Sequence, residues 1–225
     1  FTRSSSSPQL TLAVNSEANG GTWRTEGDIA GSHRHGSWVN VRVEDSASSS
    51  VFGFGLHPDN LKFDFQRPSS ETSGQVRGSI EREAGTFSLV GDGVASDASG
   101  TFQFEVNPAY VQQVRALLSE APSGREWLLL ALHDVSAAFV REVKNAGHTV
   151  RAADIFRLRQ NGVALDYLAA LHQGGCDYSI DDIIKLRRAG VAAEYPVGMK
   201  KAGYSHPVAE IVSLRNSGVA LEYFL

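Results

Sequence analysis

Between residues 9 and 106, apolar and polar side chains alternate with a period of two. Val39, Val41 and Val43 alternate with Asn40, Arg42 and Glu44; Leu61, Phe63 and Phe65 with Lys62, Asp64 and Gln66; Phe102, Phe104 and Val106 with Gln103 and Glu105. Successive side chains of a strand point to opposite faces, so each run predicts a strand with one buried face. Further strands are expected at 10–14, 22–30, 51–56, 75–82 and 85–90, separated by breakers such as Asn19-Gly20-Gly21, His57-Pro58-Asp59 and the stretch from Asp92 to Gly100. Seven or eight short strands with turns between them predict an antiparallel sandwich or barrel. The gaps leave no room for helical crossovers, which argues against parallel pairing.

From Asp134 onward the pattern turns helical and recurs every 28 residues. Gly162-Val163-Ala164-Leu165-Asp166-Tyr167 returns as Gly190-Val191-Ala192-Ala193-Glu194-Tyr195 and as Gly218-Val219-Ala220-Leu221-Glu222-Tyr223. Asp154-Ile155-Phe156-Arg157-Leu158-Arg159 likewise becomes Asp182-Ile183-Ile184-Lys185-Leu186-Arg187 and Glu210-Ile211-Val212-Ser213-Leu214-Arg215, while Gly147, Gly175 and Gly203 keep the same register. A period of this size marks stacked supersecondary units.

Each unit reads as two short helices. Ser179 is a candidate N-cap, with Asp181 and Asp182 in the first turn and Gly190 closing the helix. Val191, Tyr195 and Met199 then recur at i, i+4 and i+8, which predicts a second amphipathic helix ending at Gly203. Helices of about 10 residues are marginal alone in water, so their apolar stripes must be buried against neighbouring units. Pro196 stands where other units have Val140 and Leu168, and is expected to loosen its turn.

A weaker copy starts at Asp134, with Ser136 as its cap. Ser123 to Val135 matches Ser179 to Val191, although Trp127-Leu128-Leu129-Leu130 replaces a more polar segment. Asn107 can cap a helix that begins at Pro108. The chain is therefore expected to be α+β: a flexible Ser-rich tether at 1–8, an antiparallel β domain at 9–106 and a helical repeat domain of about four units at 107–225. No linker separates Val106 from Asn107, so the two parts are expected to meet at Trp127 and Leu128 to Leu130.

Composition narrows the functional classes. The chain has 225 residues, 42% hydrophobic, enough for a sizeable core. Residues 1–106 carry 8 Lys and Arg against 13 Asp and Glu, and residues 107–225 carry 13 against 12, giving the net −4. Neither half has the basic excess of a nucleic-acid binder. The longest strongly apolar run, Trp127 to Leu132, is too short to span a bilayer. Cys176 is the single cysteine, which rules out an intrachain disulfide and reads as a small core residue. The first residue, Phe1, points to a processed chain or a fragment.

Candidate chemistry is sparse. His33 and His35 would share a strand face, and His57 could complete a zinc site, but Gly31 and Gly36 bracket the pair as a polar turn. No His-Glu-x-x-His, phosphate-binding loop, dinucleotide fingerprint or nucleophile elbow occurs, and no catalytic residue, metal or cofactor is expected. Glu81 with Glu83, or Asp92 with Asp97, could serve a glycosidase, and Trp23 and Trp38 could stack on a sugar. These support the alternative of a carbohydrate-binding or hydrolytic β domain. The most specific polar feature is a pair of ladders: Arg159, Arg187 and Arg215 at one repeated position, and Asp166, Glu194 and Glu222 at another. They are expected to pair with each other or with helix carbonyls, or to leave the arginines free to grip an acidic peptide.

The unit from Gly190-Val191 to Gly218, with Gly203-Tyr204 inside it, resembles C-terminal repeats of some bacterial envelope proteins, including membrane metallopeptidases of the beta-lactam-sensor type. Arg82-Glu83-Ala84-Gly85-Thr86-Phe87, leading to Gly100-Thr101-Phe102-Gln103-Phe104, is similar to the strand-rich region before those repeats. The resemblance implies an extracytoplasmic accessory or sensing segment; the peptidase motif is missing, so no catalytic residue carries over. The expected function is thus a non-enzymatic interaction or assembly module. Val219, Tyr223 and Phe224 form an apolar end that could dock onto the β domain, a protein partner or a second copy, in the last case as head-to-tail chains.

Overall fold

The computed structural model describes residues 9–14, 20–27, 39–45, 50–56, 61–65, 73–94 and 97–224. Among the described residues the architecture is α+β: a sheet followed by eight α-helices. Two compact units divide the chain, one of residues 1–111 and 123–134, the other of residues 112–122 and 135–225. Among the described residues no helix is long and apolar enough to cross a membrane.

The first unit contains β1 (Gln9–Val14), β2 (Gly20–Glu26), β3 (Val39–Asp45), β4 (Ser50–Leu56), β5 (Leu61–Phe65), β6 (Gly74–Arg82), β7 (Gly85–Val94) and β8 (Asp97–Val106). They form one sheet in the order β4-β3-β1-β2-β8-β7-β6-β5. β4 and β5 stand at opposite edges, so the sheet is not closed into the expected barrel. Pairing is antiparallel except between β1 and β3, which run parallel. That corrects the expectation of purely antiparallel strands. β2 pairs antiparallel with β1 on one side and β3 pairs parallel with it on the other, so β2 supplies the return run that a helix would otherwise make between parallel neighbours.

Leu10, Leu12 and Val14 alternate with half-buried residues on β1, and Val76, Ile80, Phe87, Leu89, Phe102 and Phe104 continue the buried face. The expected break from Asp92 to Gly100 is shorter than the glycines suggested. Gly91 and Gly93 stay in β7 and pair with Gly100 and Ala98 of β8. A Cβ on Gly100 would lie 2.0 Å from the Val90 carbonyl oxygen, so this close register depends on its absence.

α1 (Pro108–Arg115) starts directly after β8. The Asn107 side chain accepts from the Ala109 N–H at 3.0 Å, and its own amide donates to the Glu83 carbonyl at 3.1 Å. α2 (Gly124–Leu132) belongs to this first unit and packs on β8. Ser123 and Glu126 form its reciprocal capping box. Trp127 and Leu128 to Leu132 are buried, and Trp127 meets Tyr110 edge-on at 6.0 Å.

The second unit holds α3 (Ala137–Asn145), α4 (Ala152–Gln160), α5 (Leu165–Gln173), α6 (Ile180–Arg188), α7 (Glu194–Lys201), α8 (Val208–Asn216) and a single 3-10 turn (Leu221–Tyr223). α3 packs on α5, α5 on α7 and α7 on the 3-10 turn, while α4 packs on α6 and α6 on α8. Helices about 28 residues apart thus lie side by side, and Leu186, Tyr195, Met199 and Ile211 show that consecutive helices share a core as well.

Local sequence explains the element ends. Ser136 and Ser179 accept from the N–H groups of Phe139 and Asp182. At the C-termini, Gly162, Gly190 and Gly218 take φ of +73°, +68° and +78°. The next N–H of each turns back to the helix: Val163 to Leu158 O at 3.1 Å, Val191 to Leu186 O at 3.0 Å and Val219 to Leu214 O at 3.1 Å. This left-handed closure suits glycine because it has no Cβ. Pro196 sits in the first turn of α7, where its missing N–H has no intrahelical role, and the helix forms around it.

Candidate functional site

Both ladders lie in the second unit, and they behave differently. The arginines lie over aromatic rings. The guanidinium carbon of Arg159 is 5.4 Å from the centre of the Phe139 ring, that of Arg187 is 5.5 Å from Tyr167 and that of Arg215 is 5.9 Å from Tyr195. Each covers the ring of the preceding unit, an arrangement favoured by the negative face of the π system. Arg187 Nε also donates to the Gly162 carbonyl at 2.7 Å, and Arg159 Nη1 to the Val163 carbonyl at 3.3 Å.

The tyrosines complete these junctions. The Tyr167 hydroxyl donates to the Val191 carbonyl at 2.9 Å, and the Tyr195 hydroxyl donates to the Val219 carbonyl at 2.9 Å. Burial pushes the Tyr167 phenol up to about 12, with Arg187 opposing the shift and Glu194 adding to it.

The carboxylates face outward. Asp166, Glu194 and Glu222 are exposed in the first turns of α5, α7 and the 3-10 turn, where the helix dipole favours negative charge. Asp166 Oδ1 accepts from the Tyr167 N–H at 2.8 Å. Asp166 and Glu194 share a groove of about 270 Å³ whose wall also includes Arg187 and the small side chains of Ala164, Ala170, Ala192 and Ala193. Small side chains leave the space between α5 and α7 open above the buried tyrosine.

The three apolar candidates are not equivalent. Val219 and Phe224 are half-buried, whereas Tyr223 is 83% exposed. Phe224 meets Tyr195 edge-on at 6.2 Å and Tyr204 at 5.2 Å. It thereby joins the cluster of Leu186, Val191, Tyr195, Met199, Val208 and Ile211.

Two further features were readable only in part. Lys144, His172 and Lys200 stand 28 residues apart and reach back to the preceding unit: to the Ala116 carbonyl at 3.2 Å, to Glu142 at 2.8 Å and to the Gly175 carbonyl. Their spacing was visible in the sequence, but lysines and a histidine do not read as one position. Asp154, 6% exposed, is held by Arg151 Nε at 2.8 Å and Arg157 Nη1 at 3.2 Å, and Arg157 also reaches Asp181 at 2.6 Å. Arg151 occupies the place of the Ser179 cap, so here a charge pair holds the carboxylate that a serine holds one unit later.

The other candidate groups have structural surroundings. The Trp23 ring is 2% exposed, and its indole N–H is shared between the carbonyls of Val90 at 3.2 Å and Thr101 at 3.1 Å, so it offers no face to a sugar. Glu81 pairs with Lys62 at 2.6 Å and Asp97 with Arg24 at 3.6 Å. Cys176 is buried, and burial pushes its thiol up despite the nearby Lys200. Trp38, His33, His35 and His57 lie outside the described residues. Among the described residues no group of three or more His, Cys, Asp or Glu side chains is arranged to hold a metal ion. Comparison with protein-family models, with curated proteins and with solved structures finds no match to this chain.

Proposed function

We propose that the chain is a non-enzymatic protein-association module in which α3 to the 3-10 turn act as a helical repeat array that docks a basic segment of a protein partner. The observation that carries this reading is the split between the ladders. Arg159, Arg187 and Arg215 each lie over a ring of the preceding unit, although Arg187 and Arg215 stay exposed, while Asp166, Glu194 and Glu222 are exposed at matching places along the stack. The arginines have a ring to cover, so the carboxylates are the charges on offer to a partner, opposite in sign to an arginine ladder gripping an acidic peptide. The groove beside Asp166 and Glu194 gives room for an extended side chain.

Titration with labelled lysine-rich and glutamate-rich peptides tests this. The lysine-rich peptide is expected to bind, more weakly as salt rises, because exposed charges are screened beyond about 10 Å at 0.1 M. Asp166→Asn, Glu194→Gln and Glu222→Gln combined are expected to weaken it about tenfold, or about 1.4 kcal/mol. Equal binding of both peptides, or no change in the triple variant, would overturn the reading.

A further inference from the structure

We infer that the face carrying Tyr223 recognises one more helix pair of this same repeat, whose first helix ends in Arg-x-x-Gly-Val. This rests on the association reading and names a partner for the face that Tyr223 carries. Tyr167 and Tyr195 are 7% and 5% exposed, whereas Tyr223, at the equivalent position, is 83% exposed. Two groups of the following unit hide each of the first two. A guanidinium 20 residues on lies over the ring: Arg187 over Tyr167 and Arg215 over Tyr195. A carbonyl 24 residues on accepts the hydroxyl: that of Val191 from Tyr167 and that of Val219 from Tyr195. The Tyr223 ring instead meets only its neighbour Phe224, at 5.8 Å, among the described residues.

The junction chemistry identifies the occupant. A guanidinium plane and a carbonyl presented after a left-handed glycine must arrive together, and Arg-x-x-Gly-Val supplies both, as Arg187 to Val191 and Arg215 to Val219 do. A second copy of the chain is a poor donor. Its Arg159, Arg187 and Arg215 already lie over Phe139, Tyr167 and Tyr195, and the positions one unit earlier hold Ala131 and Asp134 in place of arginine and glycine.

The test fuses a duplicate of residues 198–225 after Leu225, which sets the duplicated Arg215 and Val219 at these spacings from Tyr223. Chymotrypsin cleavage after Tyr223 under native conditions is expected to slow about tenfold or more, since proteolysis follows the population of the open state. A second fusion with alanine for the duplicated arginine is expected to lose most of that protection. Unchanged cleavage at Tyr223, or a duplicate that is itself digested as fast as unfolded chain, would overturn the inference. Repeating the fusion on the Asp166→Asn, Glu194→Gln, Glu222→Gln background separates the two proposals, because protection at Tyr223 there is expected to persist whatever becomes of basic-peptide binding.

Discussion

Asp134 Oδ1 lies 3.3 Å from Arg82 Nη1, and the pair joins the end of α2 to the end of β6 within the first unit. Among the described residues Asp134 is also the one non-glycine with positive φ, at 51°. Its position is that of Gly162, one period earlier. The left-handed closure of a repeat is thus kept with a side chain that opposes it, and the side chain meets a buried guanidinium. Substitution is expected to separate these roles. Asp134→Ala keeps the backbone strain and loses the ion pair, and is expected to be less stable than Asp134→Gly by about 1 kcal/mol. Urea denaturation of the two variants measures this, and equal midpoints would show that the backbone conformation there is unstrained.

The burial of the Tyr167 phenol predicts a specific alkaline response. The folded chain holds the Tyr167 proton up to about 12, against an ordinary value of 10.0. A raised folded value gives stability that is complete below pH 10.0 and disappears as pH rises through about 12, a contribution of about 2–3 kcal/mol. Tyr167→Phe is expected to lower stability at neutral pH by about 1 kcal/mol and to flatten the decline between these limits. Denaturation midpoints of both proteins measured across that range check it, and parallel curves would contradict the assignment.

An acid response should come from the α6 cap. The Ser179 hydroxyl, and after it Lys185, hold the Asp182 carboxyl below its ordinary 3.8. With the folded value depressed, the contribution is present above 3.8 and is lost as pH falls through the folded value. Ser179→Ala is expected to destabilise by about 1 kcal/mol at neutral pH and to make the loss on acidification shallower. Circular dichroism during acid titration, variant against parent, would reveal an unchanged slope if the hydroxyl were irrelevant.

The two repeat positions differ in how readable they were. A serine before an acidic first turn, and a glycine after the last leucine, act through bonds spanning three to five residues, so Ser179 and Gly190 could be assigned from neighbours alone. The arginine ladder could be located by its spacing, but its partner could not. Arg187 follows Asp182 by five residues in sequence, and only the folding of α6 against the unit before it brings the Tyr167 ring beneath the guanidinium. Trp23 posed the same problem, because an exposed and a buried tryptophan look alike on a strand until Val90 and Thr101 come alongside.

The sequence by itself determined the strands, the short helices that follow them and the caps, because alternation and capping are short-range consequences of backbone geometry. Tertiary structure alone decided that β1 and β3 run parallel, that the sheet edges stay open and that α2 joins the sheet. It also decided that the arginines turn toward rings while the carboxylates turn out. Those outcomes depend on which residues, 20 to 80 apart along the chain, bury apolar area together, and no local pattern encodes that choice.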